Sequence, residues 1–129
     1  MAYKFMTYEE KEEIGILTLN RPEKRNALGQ EFEEEIISCL QDAGKRCDAK
    51  VIILKAEGEI FCAGHDRMEI LNQPLSDIRR LFQTSFNLMT AIRNAPQFNM
   101  TFRCPTDAVA TISQMASTLF AEPAIRDDV

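Results

Sequence analysis

No stretch of the sequence approaches the roughly 18 consecutive apolar residues that suggest a membrane-spanning helix. The start Met1-Ala2-Tyr3-Lys4-Phe5 lacks the apolar core of a signal peptide, and it is not Arg-rich and acid-poor like a transit peptide. Positive charge is also in short supply. A formal net charge of -5 argues against non-specific binding to nucleic acid or an anionic membrane, since the summed field repels a polyanion. The cysteines Cys39, Cys47, Cys62 and Cys104 include no C-x-x-C pair, and the one histidine, His65, cannot complete a zinc set, so no metal site is expected. Free thiols in a reducing compartment are expected instead, with the cytoplasm as the default location. Cys39 and Cys47 would lie about 12 Å apart along one helix, too far for a disulfide.

What the sequence does contain is the patterning of one modest domain. Tyr3, Phe5 and Thr7 alternate with Lys4 and Met6, and an acidic cluster from Glu9 to Glu13 leads into Ile14-Gly15-Ile16-Leu17-Thr18-Leu19, which reads as a hairpin. The second strand is apolar on both faces, Ile14 and Ile16 on one and Leu17 and Leu19 on the other, as for a strand covered from two directions. Arg21-Pro22 ends it, because proline removes a ladder donor. From Leu28 the apolar residues Phe32, Ile36, Ile37, Leu40, Ala43 and Cys47 recur at steps of three and four, with Glu31, Glu33, Glu34 and Glu35 in the remaining places. That is an amphipathic helix with acidic residues at its positive end and a stop at Gly44-Lys45-Arg46.

Val51-Ile52-Ile53-Leu54 reads as a strand buried on both faces, Glu57-Gly58-Glu59 as a turn, and Ile60-Phe61-Cys62 as a brief returning strand broken by Gly64. After the loop around Pro74 a second helix runs through Ile78, Leu81, Phe82, Ser85, Leu88, Met89 and Ile92, capped by Ser76, with Phe82 and Met89 expected in the core. Strand, strand and helix recur in that order, which predicts an α/β fold of repeated strand-strand-helix turns. Beyond Asn94-Ala95-Pro96-Gln97 no further buried strand is predicted. Residues 98–129 read as a divergent tail with a turn at Cys104-Pro105, then a helix with Val109, Ile112, Met115, Leu119 and Phe120 on one face and Thr106 or Asp107 as cap.

Three segments, in this order and spacing, resemble the enoyl-CoA hydratase/isomerase (crotonase) family: Gly15 to Asn20 with Arg21-Pro22, Lys24-Arg25-Asn26-Ala27-Leu28, and Gly58 to Asp66, which contains Ala63-Gly64-His65-Asp66. The resemblance covers residues 1–97, read as the N-terminal part of an acyl-CoA-binding domain, and implies a partial spiral of strand-strand-helix turns. It implies as substrate a coenzyme A thioester, with no permanently bound cofactor, and an oxyanion hole of two backbone N–H groups at its carbonyl oxygen. Donors placed in advance at that oxygen stabilise an enolate-like transition state more than the ground state. By position the first donor is the N–H of His65, after Gly64, at a helix entrance where N–H groups are free. Lys24 and Arg25 are implied to face the CoA phosphates, Ala27, Leu28 and Ala63 to flank the nucleotide, and Asp66 to cap or brace the turn.

Plainer roles compete for several of these residues. The His65 side chain occupies the variable position of its motif, where only the backbone N–H is needed. Cys62 is a packed thiol rather than a nucleophile, since no second histidine exists to activate it. Glu57 and Glu59 are turn residues.

In the family the second donor comes from a later Gly-rich segment, and the catalytic glutamates lie beyond it. Between Gln97 and Val129 there is no glycine, and the sole glutamate is Glu122. Loss of one oxyanion donor costs about 10²- to 10³-fold in rate and loss of general acid-base catalysis about 10²- to 10⁴-fold. The expectation is therefore a chain inactive by itself. It would act as a homo-oligomer or as a non-catalytic subunit or partner of intact family members, with the tail helix docked on the open end or on another copy. The change after Gln97 fits either a frame disruption or splice or a genuine short variant.

Overall fold

The computed structural model describes residues 3–96 and 98–101. Strands β1 (Met6–Lys11), β2 (Ile14–Leu19), β3 (Val51–Ala56) and β4 (Phe98–Thr101) form one sheet in the order β1-β2-β3-β4. β1 and β2 are an antiparallel hairpin, with Met6 opposite Leu19 and Lys11 opposite Ile14. β2 and β3 are parallel, and so are β3 and β4. Parallel neighbours need a long crossover. Helix α1 (Gln30–Arg46) supplies it between β2 and β3, and helix α2 (Leu75–Asn94) between β3 and β4.

Every residue of β2 and of β3 is buried, as their two-faced apolar runs predict. One face of these strands, with Leu17, Leu19, Ile52, Leu54 and Ala56, meets Phe32, Ile36, Cys39, Leu40 and Ala43 of α1 and Leu88 of α2 in a single core. Phe32 is 1% exposed and Leu17 fully buried. Complete burial of a large apolar side chain contributes about 1.5–3 kcal/mol, so this contact is what fixes the sheet to the helices.

Several details depart from the sequence reading. β1 lies further along than the Tyr3 to Thr7 alternation predicts and runs through the acidic cluster, because an edge strand can turn Glu9 and Glu10 to solvent. The hairpin turn is Glu12-Glu13, both left-handed at φ 53° and 66°. Gly44 does not stop α1. Cys47 does, at φ 54°, with its N–H donating to the Ala43 carbonyl at 2.9 Å. Ser76 is not the cap of α2; Pro74 precedes the helix, and Ser76 lies inside its first turn.

Residues 60–62 form no strand. The carbonyls of Glu57 and Ile60 are taken by the Asn26 side chain rather than by a neighbouring strand. Phe98–Thr101, where no further strand is predicted, pairs with β3, Val51 opposite Phe98 and Leu54 opposite Thr101. The open edge of β3 supplies backbone partners that local sequence does not announce. On α2, Leu81, Thr84 and Leu88 are buried, whereas Phe82 and Met89, expected in the core, are 48% and 56% exposed. The predicted tail helix from Val109 to Phe120 lies outside the described residues.

Candidate functional site

The Arg25–Leu28 and Ala63–Asp66 segments lie side by side. The Ala63 N–H donates to the Arg25 carbonyl at 3.0 Å, the Leu28 N–H to the Gly64 carbonyl at 2.7 Å, and the Asp66 N–H to the Leu28 carbonyl at 2.9 Å. These bonds form a one-residue parallel bridge between Leu28 and His65. In that pattern the N–H and carbonyl of alternate residues turn to opposite sides, so the His65 N–H faces away from Leu28. Among the described residues no hydrogen bond takes it. Its neighbours are occupied, and the Gly64 N–H lies 3.4 Å from the Cys62 sulfur.

Gly64 itself has φ 96°, a conformation that L side chains rarely adopt, and a Cβ added there would meet nothing within 4 Å. The backbone is thus bare on the approach to the His65 amide. The free amide does not come from a helix entrance, contrary to the expectation from sequence. The next element along the chain is a single 3-10 turn, Arg67–Glu69, and its Met68 N–H is taken by Asp66 Oδ1 at 3.0 Å. Strand-like alternation, not a helix dipole, leaves the amide unshared.

Asn26 holds the two segments in place. It is fully buried in a left-handed conformation at φ 55°. Its Oδ1 accepts from the Arg21 N–H at 2.8 Å, and its Nδ2 donates to the carbonyls of Glu57 and Ile60, both at 2.9 Å. Sequence reading missed this role, though asparagine's tolerance of left-handed backbone is the signal that could have shown it. Asp66 braces the turn as expected: its Oδ2 lies 3.3 Å from Arg21 Nη1, so both carboxylate oxygens are committed within the fold. The Arg21 guanidinium is also stacked 4.8 Å from the Phe5 ring centre.

Lys24 and Arg25 are exposed, and among the described residues neither enters a salt bridge. Arg25 lines a cleft of about 240 Å³ with Pro22, Glu57, Gly58, Glu59 and Ile60. Ala27 is half-buried, with its N–H on the Lys24 carbonyl at 3.0 Å, and Cys62 is a half-buried free thiol. A larger groove of about 700 Å³ between α1 and α2, lined by Leu40, Gly44, Phe86 and Ala91 among others, contains none of the residues of the Gly64 segment.

The His65 side chain points to neighbours that the sequence reading did not connect. Its Nδ1 lies 3.5 Å from Ser85 Oγ and 3.9 Å from Glu33 Oε1, and its ring meets Phe82 edge-on at 4.9 Å. Glu33, placed on the solvent side of α1 by its neighbours in sequence, is fully buried. The corrective signal was its spacing: three before Ile36 and seven before Leu40, it shares their stripe. Burial pushes its carboxyl above the usual range, the Ser85 hydrogen bond opposes this, and Glu69 adds to it. Glu69 also accepts the Gln30 N–H at 2.9 Å at the start of α1, where a side chain in place of Gly29 would collide with it.

A family model described as enoyl-CoA hydratase/isomerase matches residues 9–100. The rat mitochondrial Delta(3,5)-Delta(2,4)-dienoyl-CoA isomerase is 33% identical over 98 residues, 73% of this chain and 29% of its own length. A probable enoyl-CoA hydratase of Rhodobacter capsulatus is 30% identical over 131 residues, covering 100% of this chain and 46% of its own. Among solved structures, human enoyl-CoA hydratase domain-containing protein 3 superposes with a TM-score of 0.73 at 30% identity, over 76% of this chain and 39% of that one. A putative enoyl-CoA hydratase/isomerase (crotonase) from Legionella pneumophila gives 0.72 at 28% identity, over 79% and 40%. The chain spans less than half the length of each of these relatives. The Rhodobacter alignment passes the Gln97 limit at which the sequence reading ended the resemblance. No helix among the described residues is long and apolar enough to cross a membrane.

Proposed function

The chain belongs to the enoyl-CoA hydratase/isomerase family, and on that premise we propose that its Arg25–Leu28 and Ala63–Asp66 segments bind an acyl-CoA thioester with the His65 N–H directed at the thioester oxygen. The observation that carries this reading is the unshared His65 amide beside a bare, left-handed Gly64. A backbone donor fixed by its neighbours' hydrogen bonds needs no reorganisation as charge develops on the oxygen. Lys24 and Arg25, exposed and in no salt bridge among the described residues, support a contact with the phosphates of CoA. Ala27, Leu28 and Ala63 flank the nucleotide. Asp66 acts on the ligand indirectly, through the turn it braces.

Within these 129 residues the reading is of a binding site without turnover. The described portion supplies one such donor, and the sequence after Gln97 holds no glycine and the single glutamate Glu122. Association with copies of itself, or with full-length family members that would contribute the second donor, is the companion reading. A reducing compartment, the cytoplasm, rests on the thiols Cys39, Cys47 and Cys62, all free.

Calorimetry with an acyl-CoA tests the binding. Saturable heat is expected with the purified chain, and replacing both Lys24 and Arg25 with alanine should weaken binding about 2- to 30-fold, as for two exposed ion pairs, and flatten its salt dependence. No binding at millimolar ligand would remove the proposal.

A further inference from the structure

The Glu33, Ser85 and His65 cluster is built from three separate parts of the fold, α1, α2 and the loop after Gly64. Ser85 Oγ stands between the other two, 2.9 Å from Glu33 Oε1 and 3.5 Å from His65 Nδ1. It also lies 3.0 Å from the Leu81 carbonyl, its own preceding turn. One hydroxyl proton cannot serve the carbonyl and a carboxylate together. When it goes to Leu81 or to His65, the Glu33 contact needs a proton from Glu33, and a neutral carboxylic acid provides one. Glu33 Oε2 is buried without a hydrogen-bond partner among the described residues, a costly place for half of a carboxylate.

The surroundings act in both directions. Glu69, from the 3-10 turn, is the acidic group near Glu33, and His65 is the basic one. From α2 the neighbour is the uncharged Ser85, while Arg80 of that helix is engaged with Glu34. The N–H groups at the start of α1 favour the ionised form. Burial raises the Glu33 carboxyl by more than the Ser85 hydrogen bond lowers it.

We propose that Glu33, Ser85 and His65 are a proton relay that ends at the candidate thioester site, giving that site an acid-base group drawn from its own two helices. The inference rests on the acyl-CoA reading and deepens it. In the resting state the proton is on Glu33, and His65 is neutral with its proton on Nε2 and a lone pair on Nδ1. In transfer, the Glu33 O–H bond breaks as its proton joins Ser85 Oγ, and the Ser85 O–H bond breaks as that proton joins His65 Nδ1. The products are a Glu33 carboxylate, an intact serine hydroxyl and an imidazolium. Where a family member completes the site, as in the companion reading, the imidazolium can give its Nε2 proton to an enolate-like thioester formed there. His65, with a side chain 37% exposed, takes a proton at Nε2 from water, whose hydroxide leaves to solvent, and its Nδ1 proton returns through Ser85 Oγ to Glu33, which restores the resting state.

The test is a pH titration of the full chain carrying a carbon-13 label at the side-chain carboxyl of glutamate, with E33Q assigning the Glu33 signal. Glu33 is expected to titrate above the ordinary carboxylate range, and its curve should carry a second inflection where the His65 ring signal changes, since coupled groups titrate as a pair. In H65N the second inflection should vanish. S85A, a good helix former in its place, should also erase the inflection, and it provides the reading if H65N alters the circular dichroism. A Glu33 that titrates in the ordinary carboxylate range, or a curve unchanged by both variants, would overturn the relay. An acyl-CoA titration of the wild-type chain separates the two ideas: binding without coupled titration defeats the relay alone, and coupled titration without binding defeats the functional reading.

Discussion

Glu33 sets the pH dependence of stability at the scale of a single side chain. Its carboxyl, 4.5 in ordinary surroundings, is raised in the fold mainly by burial. The folded chain therefore binds more protons than the unfolded one between the ordinary and the raised value. The stability this contributes is complete below the ordinary value and is lost as pH rises through the folded one, by about 1.4 kcal/mol for each unit of elevation. E33Q should flatten the profile. Thermal melts from about pH 5 to pH 9 check this: the wild type should lose more of its melting temperature with rising pH than the variant does. Cys39 makes a related point for thiols, because burial pushes it up to about 11. It should resist alkylation at neutral pH, while the exposed Cys47 reacts, as mass spectrometry of the labelled chain would show.

Among elements, the deciding link is between the 21–28 segment and the 57–66 loop, and Asn26 carries it. N26A removes hydrogen bonds to the Arg21 N–H and to the Glu57 and Ile60 carbonyls, and it leaves alanine in a left-handed conformation. Unsatisfied buried groups cost about 1–3 kcal/mol each, so denaturant melts should show a loss of at least about 2 kcal/mol and acyl-CoA binding should weaken in step. An unchanged melt would mean that Asn26 does not carry this link. The elements legible in the sequence were those whose burial is written in their period: β2, α1, β3 and α2. Partnership with distant backbone was not legible. β4 exists through the open edge of β3, and the 60–62 strand is lost because Asn26 takes the carbonyls a ladder would have used. The candidate site was half legible. Gly64 and the His65 amide emerge from motif spacing, but the reason that amide is unshared is the bridge to Leu28, a contact between segments far apart in the chain.

For the molecule as a whole, a single core joins the four-stranded sheet to two helices, and the two segments of the candidate site meet at its border. This chain spans less than half the length of each of the relatives named above. The proposed function depends on the His65 N–H reaching a thioester oxygen. Infrared difference spectroscopy of an acyl-CoA labelled with carbon-13 at the thioester carbonyl, bound to the full chain, reads that hydrogen bond directly. The carbonyl stretch is expected to shift to lower frequency than in free ligand, and G64A, strained by about 1–2 kcal/mol and carrying a methyl on the bare approach, should reduce the shift. A bound ligand whose carbonyl stretch stays at its solution frequency or above would contradict the central claim.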